Sequence, residues 1–289
     1  MTGCNNFCAY CAVPYARGRE RSRPVKDILA EVNKLITQGY KEIILLGQNV
    51  NSYQGEAENG RKIKFPTLLK QIDKIPGNYW LSFLSSHPKD LSDNLIKCFS
   101  SPTHLMPYLH MALQSGSDKI ITAMNRRYTA AYFINLIDKA RKINPHIAIS
   151  TDIIVGFPGE TKKDLTDTIK VMKKIKFDMA YISQYSPRPN TAAAKLDDNV
   201  SKTTKKEREK ILTNILKKTA LEHNKLLIDQ QITVLVDNID NNTTHEIFGH
   251  TNQFKRVKIK TSNKKIKPGD FVNVKVTKAT SWHIEAKPT

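Results

Sequence analysis

The alternation of helical and strand-like patterns along most of the chain is the feature that constrains its fold most. Five apolar runs of strand length recur after the first helical pattern, at residues 43–46, 81–84, 109–113, 147–155 and 179–182. Helical patterns separate them, at residues 68–75, 95–99, 120–124, 132–143 and 165–175. Because repeated strand and helix units place parallel strands side by side under helices, the sequence predicts an α/β fold.

Three cysteines close to the start of the chain must share a purpose. Cys4, Cys8 and Cys11 lie within eight positions, whereas Cys98 stands alone. Thiolates bind zinc or iron-sulfur clusters, and three ligands on a four-iron cluster leave one iron open for chemistry. The alternative is a structural zinc site completed by Cys98 or a histidine. Disulfides are the least favoured interpretation, because they need paired cysteines and an oxidising compartment. Three ordinary buried thiols are also disfavoured, because the loop around them is polar.

Polar side chains follow the strand-like runs. Ligands of parallel α/β folds bind at the carboxyl ends of the strands, where loops and helix N-termini meet. We therefore expect a ligand pocket there, formed from the segments Gly47-Gln48-Asn49, Ser85-Ser86-His87-Pro88 and Gln114-Ser115-Gly116-Ser117, and from Asp152.

Four arginines stand at alternate positions after the cysteines, at Arg17, Arg19, Arg21 and Arg23. In an extended chain they would share one face, and guanidinium groups suit phosphate oxygens. The pattern predicts a contact with an RNA backbone. The alternative, that Arg17 and Arg23 pair with Glu20 and other carboxylates, is equally favoured.

Composition points to a polyanionic partner. The chain has 289 residues, a formal charge of +19 and a pI near 9.7, which favours nucleic acid. No run approaches the ~20 apolar residues that cross a bilayer, and the start Met1-Thr2-Gly3-Cys4 does not resemble a signal peptide. We expect a cytoplasmic protein with no membrane partner.

The last sixty residues change character. A charged helical pattern from about residue 203 leads to short alternating runs at 232–236, 255–260 and 271–276, separated by Asn241-Asn242 and Pro268-Gly269. These predict a small barrel of antiparallel strands, and a division into residues 1–221 and 222–289. The segment 255–287 carries ten basic residues against two acidic ones, so we expect phosphate contacts from Lys255, Arg256 and Lys258.

The cysteine loop and the arginine stretch, GCNNFCAYC followed by VPYARGRERSRP, resemble the cluster loop of radical S-adenosylmethionine (radical SAM) enzymes. Within that superfamily they are most similar to the methylthiotransferases that modify tRNA. Gly249-His250-Thr251-Asn252 and the Lys-Pro-Gly-Asp-Phe-Val run resemble the TRAM module, an RNA-binding β-barrel. His250 replaces the usual arginine, and Asn190 stands where the family has glycine; asparagine also tolerates a left-handed turn.

The resemblance implies a partial (β/α)6 barrel whose first strand precedes the cysteine loop and is missing here. It implies one 4Fe-4S cluster on Cys4, Cys8 and Cys11, with S-adenosylmethionine on the open iron. Tyr10 would lie near the adenine, although core packing is nearly as favoured for it. Other residues of the cofactor and substrate pocket would be Gln48, Ser86, Gln114 and Asp152. For the segment 156–161, which also matches the family, we favour a structural turn with a capping box of Thr161 and Asp164.

The implied reaction adds a methylthio group to carbon 2 of N6-isopentenyladenosine beside the tRNA anticodon. Alternatives are the related enzyme for threonylcarbamoyladenosine tRNA and a zinc-containing, non-enzymatic RNA-binding protein. The family carries an N-terminal domain with three further cysteines for an auxiliary cluster, which this chain lacks, so we expect a fragment whose second cluster occurs only in the full-length protein. Expected partners are the tRNA anticodon stem-loop and an electron donor such as a flavodoxin, with the chain a monomer.

Overall fold

The computed structural model describes residues 1–240, 246–261, 263 and 265–289. Its larger unit contains all five predicted strands, now labelled in chain order: β1 (Glu42–Leu45), β4 (Trp80–Phe83), β5 (Tyr108–His110), β6 (Ala148–Val155) and β7 (Met179–Gln184). β1 pairs with β4, and β5, β6 and β7 form a second parallel sheet. A bridge between Ser86 and Met111 joins the two sheets. The α/β prediction is therefore confirmed.

Two details of the sheet differ from the prediction. An antiparallel hairpin of β2 (Gln54–Glu56) and β3 (Lys62–Lys64) was not predicted. β5 ends at residue 110 rather than 113, because the Leu113 amide donates to the Thr151 side chain at 3.0 Å instead of to a strand carbonyl. Gln114 then returns to β6 through a bridge to Ile153.

Eight α-helices lie in the described residues: α1 (Val13–Arg17), α2 (Val25–Thr37), α3 (Phe65–Asp73), α4 (Asp93–Ile96), α5 (Asp118–Ala123), α6 (Ala130–Ile143), α7 (Lys162–Ile175) and α8 (Lys202–Lys225). The predicted capping box of Thr161 and Asp164 is present at the start of α7. Asn190 has φ +65°, as its left-handed turn requires. The main core lies between the sheet and the helices and contains fully buried Leu69, Ile72, Leu81, Phe83, Leu109 and Ile149. None of the helices within the described ranges has the length and apolar character needed to cross a bilayer.

The C-terminal unit is a closed barrel of five strands: β8 (Gln231–Asp240), β9 (Glu246–Thr251), β10 (Arg256–Lys260), β11 (Phe271–Ala279) and β12 (Ile284–Pro288). β9 and β12 were not predicted. The expectation of purely antiparallel strands is wrong, since β10 and β12 pair in parallel. Five strands cannot close with every neighbour antiparallel, because alternating directions need an even number. The predicted turn at Asn241-Asn242 lies outside the described residues.

The barrel packs against the amino ends of the parallel strands. Trp80, at the start of β4, contacts Phe271 with ring centroids 4.9 Å apart, and Phe254 packs edge-on to Tyr108, at the start of β5, at 4.5 Å. The Lys255 ammonium lies 2.8 Å from Asp178, immediately before β7. The pocket residues predicted from the sequence follow the opposite, carboxyl ends of these strands. The RNA-binding module expected from the sequence and the expected pocket are therefore at opposite ends of the sheet.

His250 connects the two units through its ring. Its Nδ1 lies 3.0 Å from Asp237 in the barrel, and its Nε2 lies 3.2 Å from Glu42 at the start of β1. Because both partners are carboxylates, both ring nitrogens must donate, so the ring is an imidazolium. Burial acts to lower the pKa of His250, but the hydrogen bonds to Asp237 and Glu42 outweigh it and raise the pKa from 6.5 to about 9.

This contact predicts a pH-dependent stability difference between the native protein and His250→Gln. Because the pKa of His250 is higher in the folded protein than in the unfolded chain, its protonation stabilises the fold. This stabilisation is complete below about pH 6.5 and is lost as the pH rises through about 9. The contribution is at most about 3 kcal/mol. Urea unfolding of both proteins from pH 6 to 10 should show a difference that shrinks with pH. His146→Gln, at an exposed histidine, is the control; a pH-independent difference for His250→Gln would contradict the assignment.

Candidate metal centre and cofactor pocket

The cysteine loop begins in a backbone crossing that only glycine permits. Gly3 has φ +71°, and a Cβ at this position would come within 2.1 Å of the Arg19 carbonyl oxygen. The Cys4 amide donates to Gly18 at 3.2 Å, and Thr2 bridges Arg21. This antiparallel return holds Cys4 against the arginine stretch.

The other side of the loop is fixed to the core. The Ala9 amide donates to Met124 at the end of α5 at 2.9 Å, and the Ala9 carbonyl accepts from the Ala193 amide at 2.8 Å. Asn125 donates to the Phe7 carbonyl at 2.8 Å, where Phe7 has φ +48°. A non-glycine residue in this region stores strain that surrounding contacts must offset, so the position of the loop is set by the fold.

The three thiols influence one another. Cys4 is 8% exposed, whereas Cys8 and Cys11 are partly exposed. Burial raises the pKa of Cys4 and of Cys11, and the charge of a Cys8 thiolate raises both further. Within the described part of the chain, no three histidine, cysteine, aspartate or glutamate side chains are grouped to hold a metal ion. Cys98 lies among α3 and α4, with its sulfur 3.3 Å from the Asn94 carbonyl.

A buried arginine lies under the loop. Arg126 is 6% exposed, and its guanidinium donates to Ala112 O at 2.6 Å, to the Tyr10 and Tyr128 hydroxyls at 3.0 and 2.6 Å, and to the Cys8 sulfur at 3.6 Å. No carboxylate among the described residues pairs with it. A buried cation needs a compensating anion, so the surroundings fit an anionic thiolate-bound group.

Two of the predicted pocket residues connect to Arg126, and two others connect to each other. Tyr10 contacts it directly, and the Ala112 amide donates to the Ser86 carbonyl at 3.3 Å. Gln114, with φ +67°, donates through its amide to the Asp152 carbonyl at 2.8 Å. Gln48 is exposed beyond the end of β1. The structure thus joins Tyr10 and Ser86 through Arg126 and Ala112, and Gln114 to Asp152 through the backbone, and it shows no such link for Gln48 among the described contacts.

Two buried polar atoms at these strand ends lack a protein partner. Ser86 Oγ and Asn49 Oδ1 are buried without a hydrogen-bond partner among the described residues, and such atoms normally bind water or a ligand. Asn51 and the His87 backbone exchange two hydrogen bonds, at 2.9 and 3.0 Å, which join the loops after β1 and β4. Burial, together with Arg126 and Lys89, lowers the pKa of His87 to about 2, so its ring is neutral.

Sequence reasoning missed two residues of this region. His110 joins Asp152 at 3.2 Å and Ser150 at 2.8 Å, and Ser150 in turn contacts the Tyr108 hydroxyl. His110 could have been identified from the sequence, because it is a histidine within an apolar strand pattern. Arg126 stands in the pair Arg126-Arg127 after a short helix, and nothing in that local pattern distinguishes the buried arginine from its exposed neighbour.

The arginine stretch is only partly extended. Arg17 is the last residue of α1, so it does not continue the alternation as predicted. Glu20 and Ser22 face the segment 52–54, through hydrogen bonds with Ser52 and Gln54. Arg19, Arg21 and Arg23 are therefore left on the exposed side. Arg19 lies over the Phe7 ring at 5.0 Å, and Arg23 pairs with Glu31 at 2.6 Å.

The three predicted phosphate contacts in the barrel have different surroundings. Lys255 does not extend into solvent as that prediction requires: its side chain is 10% exposed and is paired with Asp178 in the joint between the units. Lys258 pairs with Glu246 at 2.6 Å on the same sheet. Arg256 is exposed, and no carboxylate among the described residues pairs with it.

Comparisons with known proteins agree with this geometry. Residues 1–172 match the family profile of the radical SAM superfamily. The tRNA-2-methylthio-N(6)-dimethylallyladenosine synthase of Clostridium novyi is 44% identical over 98% of this chain and 62% of its own length. The protein of the same name from Acetivibrio thermocellus is 44% identical over 99% of this chain and 58% of its own length. The chain thus spans about 60% of these relatives.

A solved structure shows the same fold. Coproporphyrinogen III oxidase from Escherichia coli, a radical SAM enzyme, superposes with a TM-score of 0.53 at 16% sequence identity, over 76% of this chain and 51% of that one. The family implies a 4Fe-4S cluster and S-adenosylmethionine. With a family match over more than half of its length and three cysteines held in one loop at the end of a parallel sheet, the chain belongs to the radical SAM superfamily.

Proposed function

We propose that the chain is the radical-generating and RNA-binding part of a methylthiotransferase that modifies carbon 2 of N6-isopentenyladenosine in tRNA. The cysteine loop closed over buried Arg126 is the observation that carries the radical chemistry. The tRNA substrate is supported by relatives 44% identical over nearly the whole chain. Threonylcarbamoyladenosine tRNA is the alternative substrate, and assays on the two tRNAs separate them.

Each residue of the site has a defined task in this proposal. Cys4, Cys8 and Cys11 would hold the iron-sulfur cluster through their thiolates. When bound, that cluster supplies the electron that splits S-adenosylmethionine to give a deoxyadenosyl radical. Arg126 positions Tyr10 and balances the charge at Cys8. Ser86, Gln114, Asp152 and, at the rim, Gln48 supply polar contacts to the cofactor and substrate.

The partners follow from the charge distribution. A tRNA anticodon stem-loop would contact the exposed Arg17, Arg19 and Arg23 beside the cluster loop, and Arg256 with Lys258 on the barrel. Lys255 is left out because its side chain is both paired with Asp178 and only 10% exposed, whereas the paired side chains of Lys258 and Arg23 are 26% and 51% exposed. The cluster would take its electron from a donor such as a flavodoxin in the cytoplasm.

Anaerobic reconstitution with iron and sulfide tests the proposal. The chain has four cysteines in total, too few for two three-cysteine sites, so we expect about four irons per chain. With dithionite it should convert S-adenosylmethionine to 5′-deoxyadenosine without completing methylthiolation. Iron near eight per chain would contradict the single site. Colourless protein holding stoichiometric zinc would support the non-enzymatic alternative.

A further inference from the structure

A cavity of about 420 Å³ lies between the parallel-strand unit and the barrel, within the range of roughly 300–1,000 Å³ typical of small-ligand sites. None of its lining residues belongs to the cysteine loop, and several of them, such as Glu42, Tyr108 and Met179, lie at the amino ends of the strands. Its lining includes Tyr181 on β7, and Arg256 and Trp282 on the barrel. The two aromatic side chains are 55% and 41% exposed.

Each acidic group of the cavity already has a cationic protein partner. Asp178 accepts from Lys255 at 2.8 Å and from His223 at 3.1 Å. Glu42 and Asp237 share the His250 imidazolium. Arg256 is exposed and, among the described residues, has no acidic partner. The cavity therefore offers two aromatic faces and one guanidinium to an incoming ligand.

The cavity also reaches the interior of the parallel-strand unit. The Tyr181 ring lies 6.0 Å from the His110 ring, and His110 bonds Asp152. β7 is the terminal strand of its sheet in the described residues, so Tyr181 stands at an open side.

We propose that this cavity binds one unpaired nucleotide of the RNA substrate, with Tyr181 and Trp282 as stacking surfaces for the base and Arg256 as the phosphate contact. The inference rests on the proposed function and adds a binding site for a base to the phosphate contact proposed there for Arg256 on the barrel. Bases stack on aromatic rings without regard to sequence, and the chain's charge of +19 favours a polyanion. An acidic peptide would meet the same charge but would gain little from two exposed rings.

The test measures, by fluorescence anisotropy, the binding of the protein to a labelled tRNA transcript that has adenosine beside the anticodon. Tyr181→Ala and Trp282→Ala should each weaken binding roughly 5- to 100-fold, with unchanged circular dichroism. Tyr132→Ala is the matched control, because this tyrosine is 40% exposed on α6. A series of transcripts with single abasic positions should include one that weakens binding to the native protein but causes no further loss with Trp282→Ala.

The outcomes separate this inference from the proposed function. If the native chain fails to bind the tRNA, the proposed function fails. If it binds and both aromatic variants bind as tightly as the native protein, the cavity proposal alone is overturned. Competition for the cavity by polyglutamate as strongly as by RNA would also overturn it. This is measured by quenching of Trp282 fluorescence in a Trp80→Phe background, because the chain has two tryptophans.

Discussion

Replacing Cys8 with alanine should remove the visible absorption of the reconstituted protein and abolish formation of 5′-deoxyadenosine. With one of three thiolates gone, two irons would lack a protein ligand, and such a cluster is not retained. Cys8 is also the only one of the three sulfurs that contacts Arg126 among the described hydrogen bonds, so its loss leaves that cation unbalanced. Iron analysis and the cofactor-cleavage assay measure the effect, which should be essentially complete.

Cys98→Ala provides the control. Cys98 is buried beside the Asn94 and Pro66 carbonyls, so its removal changes packing and not the loop. It should keep its iron and its cofactor cleavage, with a modest loss of stability. Equal loss of iron in Cys8→Ala and Cys98→Ala would mean that Cys98 is a ligand, as the zinc alternative allowed.

The strands were predictable where burial alone explains the pattern of apolar residues. The apolar runs in β4 and β6 are almost wholly buried, and burial of both faces makes a strand continuously apolar. β1 and β7 also have apolar runs, although Ile44 and Tyr181 in them are exposed. The hairpin of β2 and β3 has the sequences Gln-Gly-Glu and Lys-Ile-Lys. These segments are too short and too polar to be recognised as strands from the sequence. β12 was missed for a related reason: its pairing with β10 depends on closure of the barrel, which is a long-range property.

The candidate site was predictable where chemistry requires one residue type. Thiolate chemistry needs cysteines at short spacing, so Cys4, Cys8 and Cys11 were evident. A basic residue can pair with a carboxylate inside the protein or face solvent and bind phosphate, and the sequence does not distinguish these roles. Lys255 neutralises Asp178 in the joint between the units, and burial acts to raise the pKa of that carboxyl while hydrogen bonds from His223 and Lys255 lower it below its usual range. Which lysine faces solvent depends on how the barrel docks.

Arg126→Met should destabilise the protein and weaken cluster retention together. The substitution keeps much of the side-chain volume but removes four hydrogen bonds, which leaves the Ala112 carbonyl and the Tyr10 hydroxyl without this donor. Breaking a buried charged network costs about 3–5 kcal/mol. Loss of an outer contact to a metal ligand typically lowers metal affinity about 10- to 100-fold.

Arg127→Met is the control for the loss of one positive charge, because Arg127 is adjacent to Arg126 but is exposed. Chemical unfolding should place it within about 0.5 kcal/mol of the native protein, with normal iron content. Arg126→Lys keeps the charge but cannot reach all four partners, so it should fall between the two in stability and iron retention. Because a lysine that restores charge alone restores only part of the function, the series distinguishes charge balance at Cys8 from the hydrogen bonds that position Tyr10. Native iron retention in Arg126→Met, at any stability, would show that the arginine supports the fold and not the metal centre.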